Sequence, residues 1–92
     1  MELRQPIAAA RPHTHERLWL AAQGRLACAR RHSARAEQEL SLACATWSRW
    51  PDDPALREAA RRASERQEEA VIELGAAVAV AQEFLLATEE ER

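Results

Sequence analysis

The stretch Pro51-Asp52-Asp53-Pro54 lies between two long periodic segments and stops both. Before it, small or apolar residues recur at Trp19, Ala22, Leu26, Ala29, Ser33, Ala36, Leu40, Ala43, Trp47 and Trp50, in steps of three and four. After it they recur at Leu56, Ala60, Ala63, Gln67, Ala70, Leu74, Ala77, Ala81, Phe84 and Thr88, again without a slip. Such alternation marks a helix that buries one stripe against another helix. Asp53 and Pro54 place a carboxylate at an N-cap and a proline at the first helical position, so a helix starts there. Pro51 pushes Trp50 toward extended geometry and ends the helix before it. The expected fold is therefore all-α: two long antiparallel helices, about residues 14–49 and 54–89, joined by a turn at 50–53 into a coiled-coil-like hairpin.

Away from the turn the signals weaken. Pro6 and Pro12 disfavour helix at the residues before them, which predicts an irregular arm over residues 1–13. Thr14 is then the expected N-cap of the first helix, with Glu16 near the positive end of its dipole. Residues 90–92 are expected to fray. Folding at Pro51 sets Trp47 near Leu56, Leu40 near Ala63, Leu26 near Ala77 or Val78, and Trp19 near Phe84 or Leu85. The waist, Ser33 and Ala36 against Gln67 and Ala70, is thin and polar.

A chain of 92 residues allows one small domain. Hydrophobic residues reach 47%, but much of this is alanine, with one Phe and three Trp for bulk. Ordering the backbone costs about 1–2 kcal/mol per residue, while each buried methylene returns only about 0.8 kcal/mol. A lone hairpin is marginal on that arithmetic, so a homodimer, paired into a four-helix bundle, or a helical protein partner is expected.

The surplus hydrophobicity points to where such a partner sits. Leu18 and Leu20 flank Trp19, and the second helix is apolar nearly all round from Ala70 to Ala87. A second stripe runs through Ile72, Ala76, Ala79 and Leu86, beside the small step Gly75–Ala79. A surface helix normally carries one apolar stripe, and two stripes mean two contacts. The candidate partner-binding residues are Leu18, Trp19, Leu20, Ile72, Ala76, Ala79, Leu85 and Leu86. Trp47 and Trp50, three apart beside the turn, are expected to plug the closed end against Leu56.

The net charge of −2 gives no reason to require nucleic acid or acidic lipid. Its distribution says more, because Arg25, Arg30, Arg31 and Arg35 precede Pro51 while most of the acid follows it. Arg30, Arg31 and Arg35 are expected to face Glu65, Glu68 and Glu69 across the hairpin. The alternative use of Arg25, Arg30, Arg31 and Arg35 is contact with nucleic acid or an acidic partner. Glu73, Gln82 and Glu83 interrupt the apolar run and argue against a membrane span. The first residues hold no apolar core segment, so a cytoplasmic location is expected.

No chemistry-bearing constellation stands out. Cys28 and His32 have i, i+4 spacing and could give two metal ligands, but a structural zinc site takes four. Cys28 and Cys44 would lie roughly 24 Å apart on one helix, beyond disulfide reach, and are expected as free thiols. Neither a glycine-rich phosphate loop nor a Ser/His/Asp arrangement can be built. No cofactor, metal, small-molecule substrate or enzymatic activity is expected.

The string Pro51-Asp52-Asp53-Pro54-Ala55-Leu56, followed by a long helix ending in an apolar segment, resembles the turn and C-terminal helix of type III secretion needle subunits. Those are bacterial helical hairpins with a Pro-x-Asp-Pro turn, and the likeness covers the second half of the chain. The first helix departs from that family in its arginine and alanine content. The apolar stretch from Glu73 to Leu86 is similar to the second helix of the needle co-chaperones. The likeness to secreted WXG100 proteins stops at size, because Trp47-Ser48-Arg49 lacks their glycine. These resemblances imply a small adaptor, chaperone or assembly protein, or a filament-forming secretion subunit.

Overall fold

The computed structural model describes the backbone of residues 4–90 and the side chains of residues 14–87. Two helices, α1 (Arg4–Arg49) and α2 (Pro54–Glu90), pack against each other as an all-α hairpin. The molecule is a rod of 73 × 28 × 13 Å. Its thin dimension is about the diameter of one helix with side chains, ~10–12 Å. The hairpin is thus a single layer, and each helix meets the other along one stripe only.

That stripe is the one read from the three-four spacing. Ala22, Ala29, Ala36, Ala60, Ala63, Ala70, Ala77 and Ala81 are buried, and they are all alanine. The positions between them, Trp19, Leu26, Ser33, Leu40, Ala43 and Trp47 on α1 and Leu56, Gln67, Leu74 and Phe84 on α2, are half-buried. Among the described residues no large side chain is fully buried. Alanine sits at the closest approach and lets the backbones come together, while the larger residues lap around the edge of the contact. Small residues along that line permit a helix spacing at the lower end of the usual ~8–10 Å. Thr88, the last residue of the predicted α2 stripe, lies outside the described side chains.

The turn follows from its sequence. Trp50 N–H donates to Trp47 C=O (3.0 Å), Asp53 N–H to Trp50 C=O (3.1 Å), and Arg57 N–H to Asp53 C=O (3.2 Å). Asp53 Oδ1 accepts from Ala55 N–H at 2.9 Å, which is the N-cap bond the sequence predicts. Trp47 Nε1–H donates to the Pro51 carbonyl at 3.2 Å, so the indole clamps the turn as well as packing in the seam.

Two expectations are corrected. The first helix begins at Arg4 rather than at Thr14, so an irregular arm over residues 1–13 is replaced by helix from Arg4 on. Pro6 falls within its first turn, where an N–H has no partner inside the helix, and proline is tolerated there. The helix also continues through Pro12, whose missing N–H forfeits one i→i−4 bond. Residues 1–3 and the end of the expected frayed tail, 91–92, lie outside the described residues. The second correction is Trp50. It is 57% exposed in the turn and does not share the plug with Trp47, because α1 has already ended at Arg49.

Candidate functional site

While Leu42 and Trp50 are exposed toward the closed end, the open half of the hairpin carries most of the exposed large apolar side chains. Trp19 and Phe84 close it from inside, with ring centroids 5.8 Å apart, and His15 lies 5.7 Å from the same Phe84 ring. Trp19 is therefore committed to the seam, and only part of it faces outward. Its neighbours Leu18 and Leu20 are exposed on α1, as are Leu85 and Leu86 on α2. Further along α2, Ile72 is 72% exposed, and Ala76 and Ala79 are exposed beside it. The seven-residue step explains the grouping. Ile72, Ala79 and Leu86 each stand two residues from a seam position on either side, roughly 200° around the helix from both. They form the back of α2. Val71, Val78 and Leu85 share the next step and run along its flank.

Val71 was not among the residues singled out from sequence, although it is exposed and in line with Leu85. Its seven-residue spacing to Val78 and Leu85 was the available signal. Gly75 lies between the two rows. A Cβ built there, or at Gly24 on α1, would meet nothing within 4 Å, so the hairpin itself gives neither glycine a packing reason. By length and composition α2 is apolar enough to cross a membrane, and only 17% of that apolar window is buried. Glu73 and Glu83 lie within it, and a carboxylate at the centre of a span costs about 2.5–3.5 kcal/mol on insertion scales.

The charges are arranged differently from expectation. Across the hairpin, Glu39 Oε2 meets Arg66 Nε at 3.5 Å and His32 Nδ1 meets Glu73 Oε1 at 3.5 Å. The expected pairing of Arg30, Arg31 and Arg35 with Glu65, Glu68 and Glu69 is not formed among the described residues. Arg31 stands two residues from the seam positions Ala29 and Ser33 and so points away from α2. Glu65 is taken by Arg61, which also holds Glu58. Arg25 makes no ion pair either among the described residues. At the start of α2, Glu58 is bridged by Arg61 and, at 3.3 Å, by Arg62. The Arg61 hydrogen bond pulls the Glu58 carboxyl down from 4.5 to about 2, and the Arg61 guanidinium is raised in return.

Cys28 Sγ lies 3.7 Å from His32 Nε2, and the other ring nitrogen of His32 faces Glu73. The order thiol, imidazole, carboxylate is that of an activated nucleophile. It sits on the outside of a helix whose backbone N–H groups are already bonded, so no donor is left to stabilise an oxyanion. No group of three metal-ligating side chains occurs among the described residues. Both cysteines are free thiols. A second feature is a half-open groove of about 920 Å³ at the closed end, with Leu40, Cys44 and Trp47 on one wall and Arg57, Arg61 and Glu65 on the other. Comparisons with protein-family models, with curated proteins and with solved structures found no match.

Proposed function

We propose that the protein is a non-enzymatic protein–protein interaction module, of adaptor, small-chaperone or assembly type, that works through the apolar open end of its hairpin. The observation that carries this is the exposure of Ile72, Leu85, Leu86, Leu18 and Leu20 on one half of a rod whose seam is already filled. The exposed surface is 7715 Å². A compact monomer of this mass exposes about 5,400 Å². The excess is larger than the ~800 Å² that each partner gives to a standard interface. The two carboxylates within the apolar part of α2 favour a protein surface over lipid as its cover.

The test is paired. Ile72→Glu and Leu86→Glu lie outside the seam and should leave the helical circular-dichroism signal intact. They should abolish assembly, whether with itself or with another protein, as read by light scattering and by capture from source-cell extract. A wild-type chain that stays monomeric and captures nothing overturns the proposal.

A second use is favoured by one observation: Arg25, Arg30, Arg31 and Arg35 have no carboxylate partner among the described residues. A basic segment of this kind suits nucleic acid. Oligonucleotide affinity that falls steeply with salt is the expected result for that use, and affinity indifferent to salt excludes it.

A further inference from the structure

We infer that Cys28 and His32 form a binding site for a thiophilic divalent cation of the zinc class, with Glu73 of the opposite helix orienting the imidazole. The inference goes beyond the proposed interaction function and uses none of the apolar residues that carry it. The four-residue step places both side chains on one face of α1. Cys28 Sγ lies 3.7 Å from His32 Nε2. A sulfur at ~2.3 Å and a nitrogen at ~2.0–2.1 Å from one tetrahedral ion are about 3.6 Å apart. The pair therefore already has the spacing of two ligands on a shared ion, and an ion can enter without moving the helix. His32 Nδ1 meets Glu73 Oε1 at 3.5 Å. A carboxylate beside that nitrogen favours the ring proton there. It leaves Nε2, the nitrogen that faces Cys28, with the free lone pair a metal needs.

The seam explains why these three groups meet. Cys28 precedes the buried Ala29, and with Glu73 and Ala77 it lines a recess of about 90 Å³ along one flank of the hairpin. Alanines at the seam bring the helices close enough there for a glutamate on α2 to reach an imidazole on α1. Thiol and imidazole suit zinc, cobalt(II) or cadmium, whereas magnesium and calcium take oxygen ligands. A coordinating thiol gives up its proton. The two positive charges of the ion are then met by the Cys28 thiolate and the Glu73 carboxylate. Arg25 and Arg35 stand about one turn to either side, but both are exposed and screened by solvent. The described side chains supply no third ligand, so water fills the outer positions and the ion is exchangeable, unlike zinc in a closed four-ligand site. Coordination at Nε2 polarises the ring and strengthens the attraction of Nδ1–H for Glu73. That contact crosses from α1 to α2, so the ion clasps the hairpin at mid-length. Cys44 is an internal control, an exposed thiol with no imidazole partner among the described residues.

The experiment is a cobalt(II) titration of the whole chain, reduced and metal-free, read by the thiolate-to-cobalt charge-transfer absorption. Wild type should develop the band and saturate at one ion per chain. Zinc should displace the cobalt and bleach the band, and excess magnesium should not. Cys44→Ser should behave as wild type, while Cys28→Ser should lose the band. Glu73→Ala should keep the band and weaken binding about tenfold, the low end of the range for a lost outer-shell partner, as suits so exposed a carboxylate. His32→Gln should weaken binding more than that. None of these positions is among the buried alanines, so every variant should keep its helical circular-dichroism signal. Saturating zinc should also raise the melting temperature of wild type and leave that of Cys28→Ser where it was. A band absent from wild type, or one that survives Cys28→Ser, overturns the site. Unchanged affinity in His32→Gln overturns the chelate, because the thiol would then bind alone. Unchanged affinity in Glu73→Ala, or a wild-type melt indifferent to zinc, overturns the clasp between the helices.

Discussion

Asp53 makes the start of α2 a local event. Its Oδ1 caps Ala55 N–H at 2.9 Å and its carbonyl takes Arg57 N–H at 3.2 Å, with Pro54 supplying the helical φ. Asp53→Ala should cost about 0.5–2 kcal/mol. In a chain of this size that corresponds to a melting-temperature drop of several degrees, about 4–8 °C per kcal/mol. Thermal circular dichroism checks it, and an unchanged melt would mean the cap is not used. One turn on, Glu58 makes the same region sensitive to acid. Its carboxyl is held at about 2 against an ordinary 4.5, chiefly by the Arg61 hydrogen bond. A depressed carboxyl stabilises the fold fully above its unfolded value and loses that contribution as pH falls through its folded value. The stability gap between wild type and Glu58→Gln should therefore be full near pH 5 and shrink toward pH 2, a small effect at so exposed a site. A gap that does not change over that window would contradict the bridge. Cap and bridge were both legible in the sequence, since they depend on spacing within one helix. The Trp47 indole bond to Pro51 was not, because it depends on how the turn closes.

The alanine seam gives the two helices an unusual response to substitution. In most coiled coils a larger apolar residue at the seam adds buried area. Here Ala29 is 1% exposed and Ala63 2%, at the line where the backbones come closest. Ala63→Leu should push the helices apart and destabilise by about 1–3 kcal/mol, as overpacking does. Chemical denaturation checks the sign, and a stabilised variant would show that the seam has slack. The outward glycines should respond in the opposite way. Gly24→Ala adds a methyl that meets nothing and removes backbone freedom, so it should stabilise α1 by up to about 1 kcal/mol. The seam was readable because every position from Trp19 to Trp47 and from Leu56 to Phe84 keeps the three-four step. The start of α1 was not. A proline disfavours helix before it as a local tendency, and a long helix running through Pro6 and Pro12 overrides that tendency. Cross-hairpin pairing was misassigned for a related reason. Sequence gives the height of Arg31 and Arg35 along the rod, while direction around the helix decides what they reach.

A rod one helix thick cannot enclose a core, and its stability must come from a seam of small side chains or from a second body. Among the described side chains, eight buried alanines supply little apolar area for two helices of 46 and 37 residues. Half-buried Ser33 and Gln67 at the waist add less still, although Glu39–Arg66 and His32–Glu73 bracket them. The site was legible as surplus hydrophobicity at the open end. Its inner limit was not, since only the packing of Trp19 on Phe84 shows which aromatic is already spent. If the second body is another copy, folding and association become one equilibrium, and stability must rise with concentration. For a dimer, a hundredfold increase in chain concentration adds about 2.7 kcal/mol. That should raise the melting temperature by several degrees between about 1 and 100 μM, with Leu86→Glu removing the dependence. The alternative is equally definite. A cooperative melt at one temperature across that range would mean that the alanine seam is sufficient by itself, and that the apolar end of α2 is kept for a different protein.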